Sequence, residues 1–167
     1  CIYPKNIKKK ITENLMFKGD FEATNEGYAI SKYLSIKLCK FISQKEGYNY
    51  KTLIPTNLYG PNDKYDTEKS HLLAAIIKKI SNAKKNKNKY VEIWGDGKAR
   101  REFMYVSDLS DAILFSIRNF DRIPNILNIG TGIDYTVEAY YKKVAKIIYP
   151  KVKFYFNRQK PSGMRRK

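Results

Sequence analysis

The spacing of apolar positions changes several times along this chain, and each change marks an element. Over 28–46 the apolar residues include Ala29, Ile30, Tyr33, Leu34, Ile36, Leu38 and Phe41, the three-to-four spacing of one helix face. Asn25 stands before this run as a cap, and Gly47 follows it as a stop. Residues 50–54 read as a short strand ended by Pro55, and 55–61 as a stiff, turn-rich loop. A second amphipathic helix over 70–83 carries Leu72, Leu73, Ile76, Ile77 and Ile80 on its apolar side. Strand 91–94, the turn 95–97 and strand 102–106 come next, then a helix over 109–119 capped by Ser107 and Asp108. Strand 127–129, a Gly-Thr-Gly turn at 130–132, a helix over 137–148 capped by Thr136 and strand 152–156 complete the pattern. Residues 1–24 read as a lysine-rich loop and 160–167 as a polar one. Strand and helix alternate without internal repeats, so the predicted fold class is α/β. The turn at 130–132 lacks the third glycine and later acidic residue of a dinucleotide-binding turn, and reads as a plain strand-to-helix turn.

Composition bounds this picture. A chain of 167 residues, 43% hydrophobic and 14% aromatic, can bury the core of a folded domain. No apolar run reaches the length of a membrane span, and the first residues lack the pattern of a signal peptide. The start at Cys1 rather than Met suggests a fragment. Two cysteines make no disulfide framework; Cys39, in the apolar helical pattern, is expected to be a buried thiol, and a reducing cytoplasm is the default. The net charge of +17 invites a nucleic-acid reading. The lysines are diffuse, however, as in 84–89, and no nucleic-acid motif accompanies them. A basic chain suits an anionic small molecule carrying phosphates equally well.

Candidate chemistry begins with Tyr28 and Lys32. Four positions apart on a helix, they share a face with Cβ atoms about 5–6 Å apart. An ammonium beside a phenol favours the phenolate, which suits proton transfer at a carbonyl or alcohol. The same spacing also describes a packed tyrosine beside a surface lysine. His71, the single histidine, reads alone as a structural or exposed residue, and Cys1 alone has no reading. No metal-ligand spacing is present.

Four segments in order make the pattern specific: Asn25-Glu26-Gly27-Tyr28-Ala29-Ile30-Ser31-Lys32, Pro55-Thr56-Asn57-Leu58-Tyr59-Gly60-Pro61, Trp94-Gly95-Asp96-Gly97 with Arg100-Arg101-Glu102-Phe103, and Asn128-Ile129-Gly130-Thr131-Gly132. Together they resemble the extended short-chain dehydrogenase/reductase superfamily. Cys1-Ile2-Tyr3-Pro4 and Ser70-His71-Leu72-Leu73 sharpen the resemblance to its GDP-L-fucose synthase family. That resemblance covers the second part of a Rossmann-type fold and places the glycine-rich NADP-binding turn and a catalytic serine before Cys1. It implies a C-terminal part of the NADP-binding domain over 1–62 and a mainly substrate-binding subdomain over 63–167, with 101–133 returning to the first.

The resemblance also implies roles. Tyr28 would be the general acid of a 4-keto reduction, with Lys32 binding the nicotinamide ribose. Cys1 and His71 would be the acid/base pair that epimerises C3 and C5. Pro55, Thr56, Asn57, Leu58 and His71 would line the NADP(H) site. Lys79, Trp94, Arg101 and Ser162 would contact a GDP-sugar. Lys79 stands where arginine is common, and Ser162 replaces an acidic residue in Lys160-Pro161-Ser162-Gly163, so a related GDP-sugar such as a modified heptose stays open. A homodimer formed through helices, one of them bearing Tyr28, is implied. A chain beginning at Cys1 is expected to turn over little NADPH. The alternatives are an extended reductase acting as a nucleotide-sugar 4-epimerase or 4,6-dehydratase, and a non-catalytic basic module that binds nucleic acid.

Overall fold

A computed structural model describes residues 2–4, 7, 11–66 and 70–166. Its elements are α1 (Glu26–Glu46), β1 (Thr52–Pro55), β2 (Asn57–Tyr59), α2 (Leu72–Lys85), β3 (Tyr90–Trp94), β4 (Arg100–Tyr105), α3 (Val106–Arg118), β5 (Ile126–Ile129), β6 (Asp134–Thr136), α4 (Val137–Ile148) and β7 (Lys153–Asn157). The α/β class predicted from the pattern holds. The chain divides into two compact units, Cys1–Thr56 with Leu109–Ile129 and Asn57–Asp108 with Gly130–Lys167.

In the first unit β1 and β5 pair in parallel, Thr52 opposite Ile126 through Pro55 opposite Ile129. The Thr56 N–H extends this ladder to the Ile129 carbonyl at 2.9 Å. The Lys51 ammonium secures the strand entry, donating to the Ile123 carbonyl and the Asn125 side chain at 2.9 Å each. Glu13 accepts the Asn128 backbone N–H at 2.7 Å, and that bond holds its carboxyl below the usual range. Tyr3 donates to the Asn128 side-chain oxygen.

Helix α1 ends as the sequence predicts: Gly47 takes the left-handed conformation, φ 74°. Its start differs. Asn25 occupies the cap position without a side-chain cap bond, and its amide donates to Glu22 instead, at 2.7 Å. Ala29 is fully buried, whereas Leu34, Leu38 and Phe41 lie exposed in a row at helical spacing. Cys39 is half-buried, not enclosed as expected, because α1 covers little of its own surface within the unit.

The second unit holds the main core. Strands β3 and β7 pair in parallel, as do β2 and β4, while β6 joins β4 antiparallel. On β3 the two-residue period buries Val91 and Ile93 and turns Glu92 and Trp94 to the other face. Ile76 and Ile80 from α2 and Tyr140, Tyr141 and Ala145 from α4 pack against Val91, Ile93 and Val152. Burial pushes the Tyr141 phenol up to about 12. Thr136 caps α4 as predicted, its Oγ1 accepting the Ala139 N–H at 3.1 Å.

Three local readings are corrected here. Residues 55–61 were expected to be loop, yet Asn57–Tyr59 is a strand, because β4 offers it a parallel ladder that the sequence pattern does not show. Helix α3 begins at Val106, directly after β4, so Ser107 and Asp108 lie inside its first turn and do not cap it. The turn at 130–132 leads into strand β6 before α4, so it joins strand to strand.

Candidate active site

Within the first unit, Tyr28 and Lys32 stand one turn apart near the start of α1, and the Lys32 ammonium lies 5.3 Å from the Tyr28 ring centroid. Both side chains are exposed. The Ser31 hydroxyl donates to the Tyr28 carbonyl at 2.8 Å. Pro55 closes β1 and Thr56 continues its ladder. Cys1 lies outside the described residues.

The remaining predicted site residues belong to the second unit. Asn57 and Leu58 sit on β2, where the Asn57 amide donates to the Glu102 carbonyl at 2.8 Å. The Glu102 carboxylate accepts the Gly132 N–H at 2.7 Å and the Thr131 hydroxyl at 3.1 Å, so the Gly-Thr-Gly turn is folded around a carboxylate. A phosphate would find a like charge in that turn, not a cradle. His71 occupies the N-cap position of α2 with its imidazole in solvent, and its Nδ1 lies 3.3 Å from the largely buried carboxylate of Asp63.

Lys79, Trp94, Arg101 and Ser162 form a basic surface with the tail. The Lys79 ammonium lies 4.8 Å from the Trp94 ring centroid and donates to the Glu92 carbonyl at 3.4 Å. Burial lowers the Lys79 ammonium's pKa, opposed by the nearby Glu92 charge. Lys160 reaches the same indole at 5.5 Å. Arg101 donates through one nitrogen to the carbonyls of Arg100 and Met164, at 2.7 Å each. Gly95, with φ 71°, lies so close beneath Ser162 that a side chain at 95 would collide with it.

Further along the tail, the Arg100 N–H donates to the Arg165 carbonyl at 2.8 Å. The Asp134 carboxylate takes the Arg100 guanidinium at 2.7 Å and Arg166 at 2.6 Å. The Arg100 hydrogen bond, with Arg166 behind it, holds the Asp134 carboxyl below its usual range. A depressed carboxyl stabilises the fold above the ordinary aspartate pKa, about 3.9, and loses that contribution as pH falls through the lower folded value. Asp134→Asn is expected to lower the thermal midpoint at pH 7 by about 5 °C. Its deficit against the unaltered chain should shrink below pH 4; a deficit that stays constant down to pH 2 contradicts the assignment.

Among the described residues no group of three or more His, Cys, Asp or Glu could hold a metal ion, and no helix is long and apolar enough to cross a membrane. Three residues bonded to or packed against candidate site residues were not singled out in the sequence. Glu92 had a weak signal, since two residues before Trp94 on a strand means the same face. Lys160 stood only as part of a tail motif. Asp63, eight residues from His71 along the chain, had none.

A model of the NAD dependent epimerase/dehydratase family matches residues 1–130. The chain belongs to this family. The GDP-L-colitose synthase of Yersinia pseudotuberculosis is 49% identical over all of this chain and 54% of its own length. The GDP-L-fucose synthase of Azorhizobium caulinodans is 43% identical over all of this chain and 54% of its length. The chain therefore spans about half the length of the curated relatives it matches. A Campylobacter jejuni GDP-mannoheptose C4 reductase solved with NADP bound superposes with TM-score 0.82 at 29% identity, over 99% of this chain and 58% of that one. A Naegleria fowleri GDP-L-fucose synthetase bound to NADP shares the fold at TM-score 0.87 and 23% identity, over 100% and 54%. The Rossmann-type extended reductase fold expected from the motifs is the fold of this family's solved members.

Proposed function

We propose that this chain supplies the nicotinamide-side and sugar-side residues of an NADP-dependent GDP-sugar epimerase/reductase, acting on GDP-4-keto-6-deoxy-mannose or a close relative. The observation that carries this reading is the basic surface around Trp94. Two ammonium groups at one indole, with the Arg101 guanidinium bonded to the same C-terminal segment at Met164, match a diphosphate and the ring beside it. The names of the relatives support the GDP-sugar class.

Cys1 and His71 exchange protons at C3 and C5, which the neighbouring keto group acidifies by delocalising the carbanion. Both residue types titrate near neutrality, where such exchange is efficient. NADPH, when bound, supplies the hydride to C4. Tyr28 then gives its proton to the new alkoxide. Lys32, exposed with its ammonium 5.3 Å from the Tyr28 ring centroid, is the kind of donor a ribose hydroxyl accepts from, so these residues fit the cofactor. Pro55, Thr56, Asn57 and Leu58 would border the nicotinamide, with His71 near it. Lys79, Trp94, Arg101 and Ser162 would hold the GDP-sugar.

Trp94 is the only tryptophan, so GDP arriving at this surface should change its emission. Saturable quenching by GDP, absent with guanosine, is the expected result; no response to GDP at millimolar concentration contradicts the reading. In a chimaera in which these 167 residues replace the matching stretch of the Azorhizobium caulinodans relative, the keto sugar should drive net NADPH oxidation. A 4-epimerase or 4,6-dehydratase would recycle the cofactor and show none.

We further propose a homodimer through α1, supported by the exposed row of Leu34, Leu38 and Phe41. Sedimentation should give a dimer that Leu38→Glu converts to monomer. A monomeric unaltered protein would refute it.

A further inference from the structure

Glu92 is the point on which the basic surface converges. One carboxylate oxygen accepts the Trp94 indole N–H at 2.8 Å, and the other accepts the Asn157 amide at 2.6 Å. Its backbone carbonyl accepts Lys79. Strand pairing sets the geometry, because Trp94 lies opposite Asn157 in the parallel ladder of β3 and β7. The carboxylate thus ties both strands to the indole, and the indole carries two ammonium groups. The Asn157 bond, assisted by Trp94, Lys79 and Lys160, holds the Glu92 carboxyl below its usual range, so it is anionic at neutral pH.

We propose that Glu92 is a positioning residue: it fixes the Trp94 indole and, through it, holds Lys79 and Lys160 as a paired cation site for the diphosphate of a nucleotide sugar. This inference rests on the functional reading above. A carboxylate next to a diphosphate site looks unfavourable, since like charges repel. Its retention makes sense when its bonds to the indole and to Asn157 keep two flexible lysines in one place. Each lysine carries rotamer entropy that binding would otherwise have to restrain.

The charge makes the test diagnostic, because the two roles predict opposite signs. If Glu92 is only a nearby negative charge, removing it strengthens GDP binding. If it positions Trp94 and the lysines, removing it weakens binding. The full chain carrying Glu92→Ala or Glu92→Gln is titrated with GDP by calorimetry, with emission from Trp94 recorded in parallel. We expect about 10-fold weaker binding for Glu92→Ala, which is about 1.4 kcal/mol. Glu92→Gln replaces one acceptor oxygen by a donor, so one of the two bonds must rearrange, and it should lose about 3-fold. In the ligand-free Ala variant, the indole should also become more accessible to iodide quenching. Unchanged or tighter GDP binding in both variants, with unchanged melting, overturns the positioning role and leaves the function standing. Failure of the unaltered chain to bind GDP strikes the functional reading itself. Should Glu92→Ala fail to fold, Glu92→Gln decides alone, by the sign of its change.

Discussion

Tyr28→Phe is expected to cut the rate of C4 reduction by about 100- to 10,000-fold, the usual contribution of a positioned general acid. The measurement is NADPH oxidation by the chimaera with the Azorhizobium caulinodans relative. The change removes one oxygen from an exposed ring at the start of α1, so stability should hardly move. Exchange of solvent deuterium into C3 and C5 should survive, because the proposal assigns those protons to Cys1 and His71. His71→Gln should show the reverse order, with exchange failing first. Loss of exchange in the Tyr28 variant would dissolve this division of labour. Survival of reduction at normal rates would remove Tyr28 from the chemistry.

Ile80→Ala should destabilise the second unit by about 2–5 kcal/mol. Ile80 is fully buried among Ile76, Val91, Ile93 and the α4 aromatics, and nothing there can collapse to fill the space of three lost carbons. Against a typical total of about 5–15 kcal/mol, such a loss approaches unfolding. Urea denaturation followed by circular dichroism reads the change as a lower midpoint at similar slope. Ile147 supplies the contrast. It is 83% exposed, so Ile147→Ala should change stability by less than about 0.5 kcal/mol. Equal losses at the two positions would mean that the core has been placed wrongly.

The helices were legible because helical periodicity is local. The run through Leu34 and Phe41 with Gly47 behind it, and the cap at Thr136, need no partner to be recognised. Strand β2 was not legible, because three residues after a proline become a strand only when β4 lies alongside. The short β6 depends in the same way on pairing with Arg100–Glu102. At the site, the candidate residues came from motifs, and motifs name residues one at a time. The bonds among them were invisible: Glu92 to Trp94 is a matter of strand face, and Asp63 to His71 one of loop path. The Asn25 cap failed for a related reason, since Glu22 competes for the same side chain in space.

The tail from Lys160 to Arg166 touches its own unit at Trp94, Gly95, Arg101, Arg100 and Asp134 in succession. It behaves as a tethered, multivalent ligand of the surface it covers. Each attachment is modest, yet once one is made the next occurs at the high effective concentration set by two or three intervening residues. Such a segment is not released by breaking any single bond. Release needs several attachments to break together, so the ammonium at the indole is guarded by every attachment that follows it along the segment.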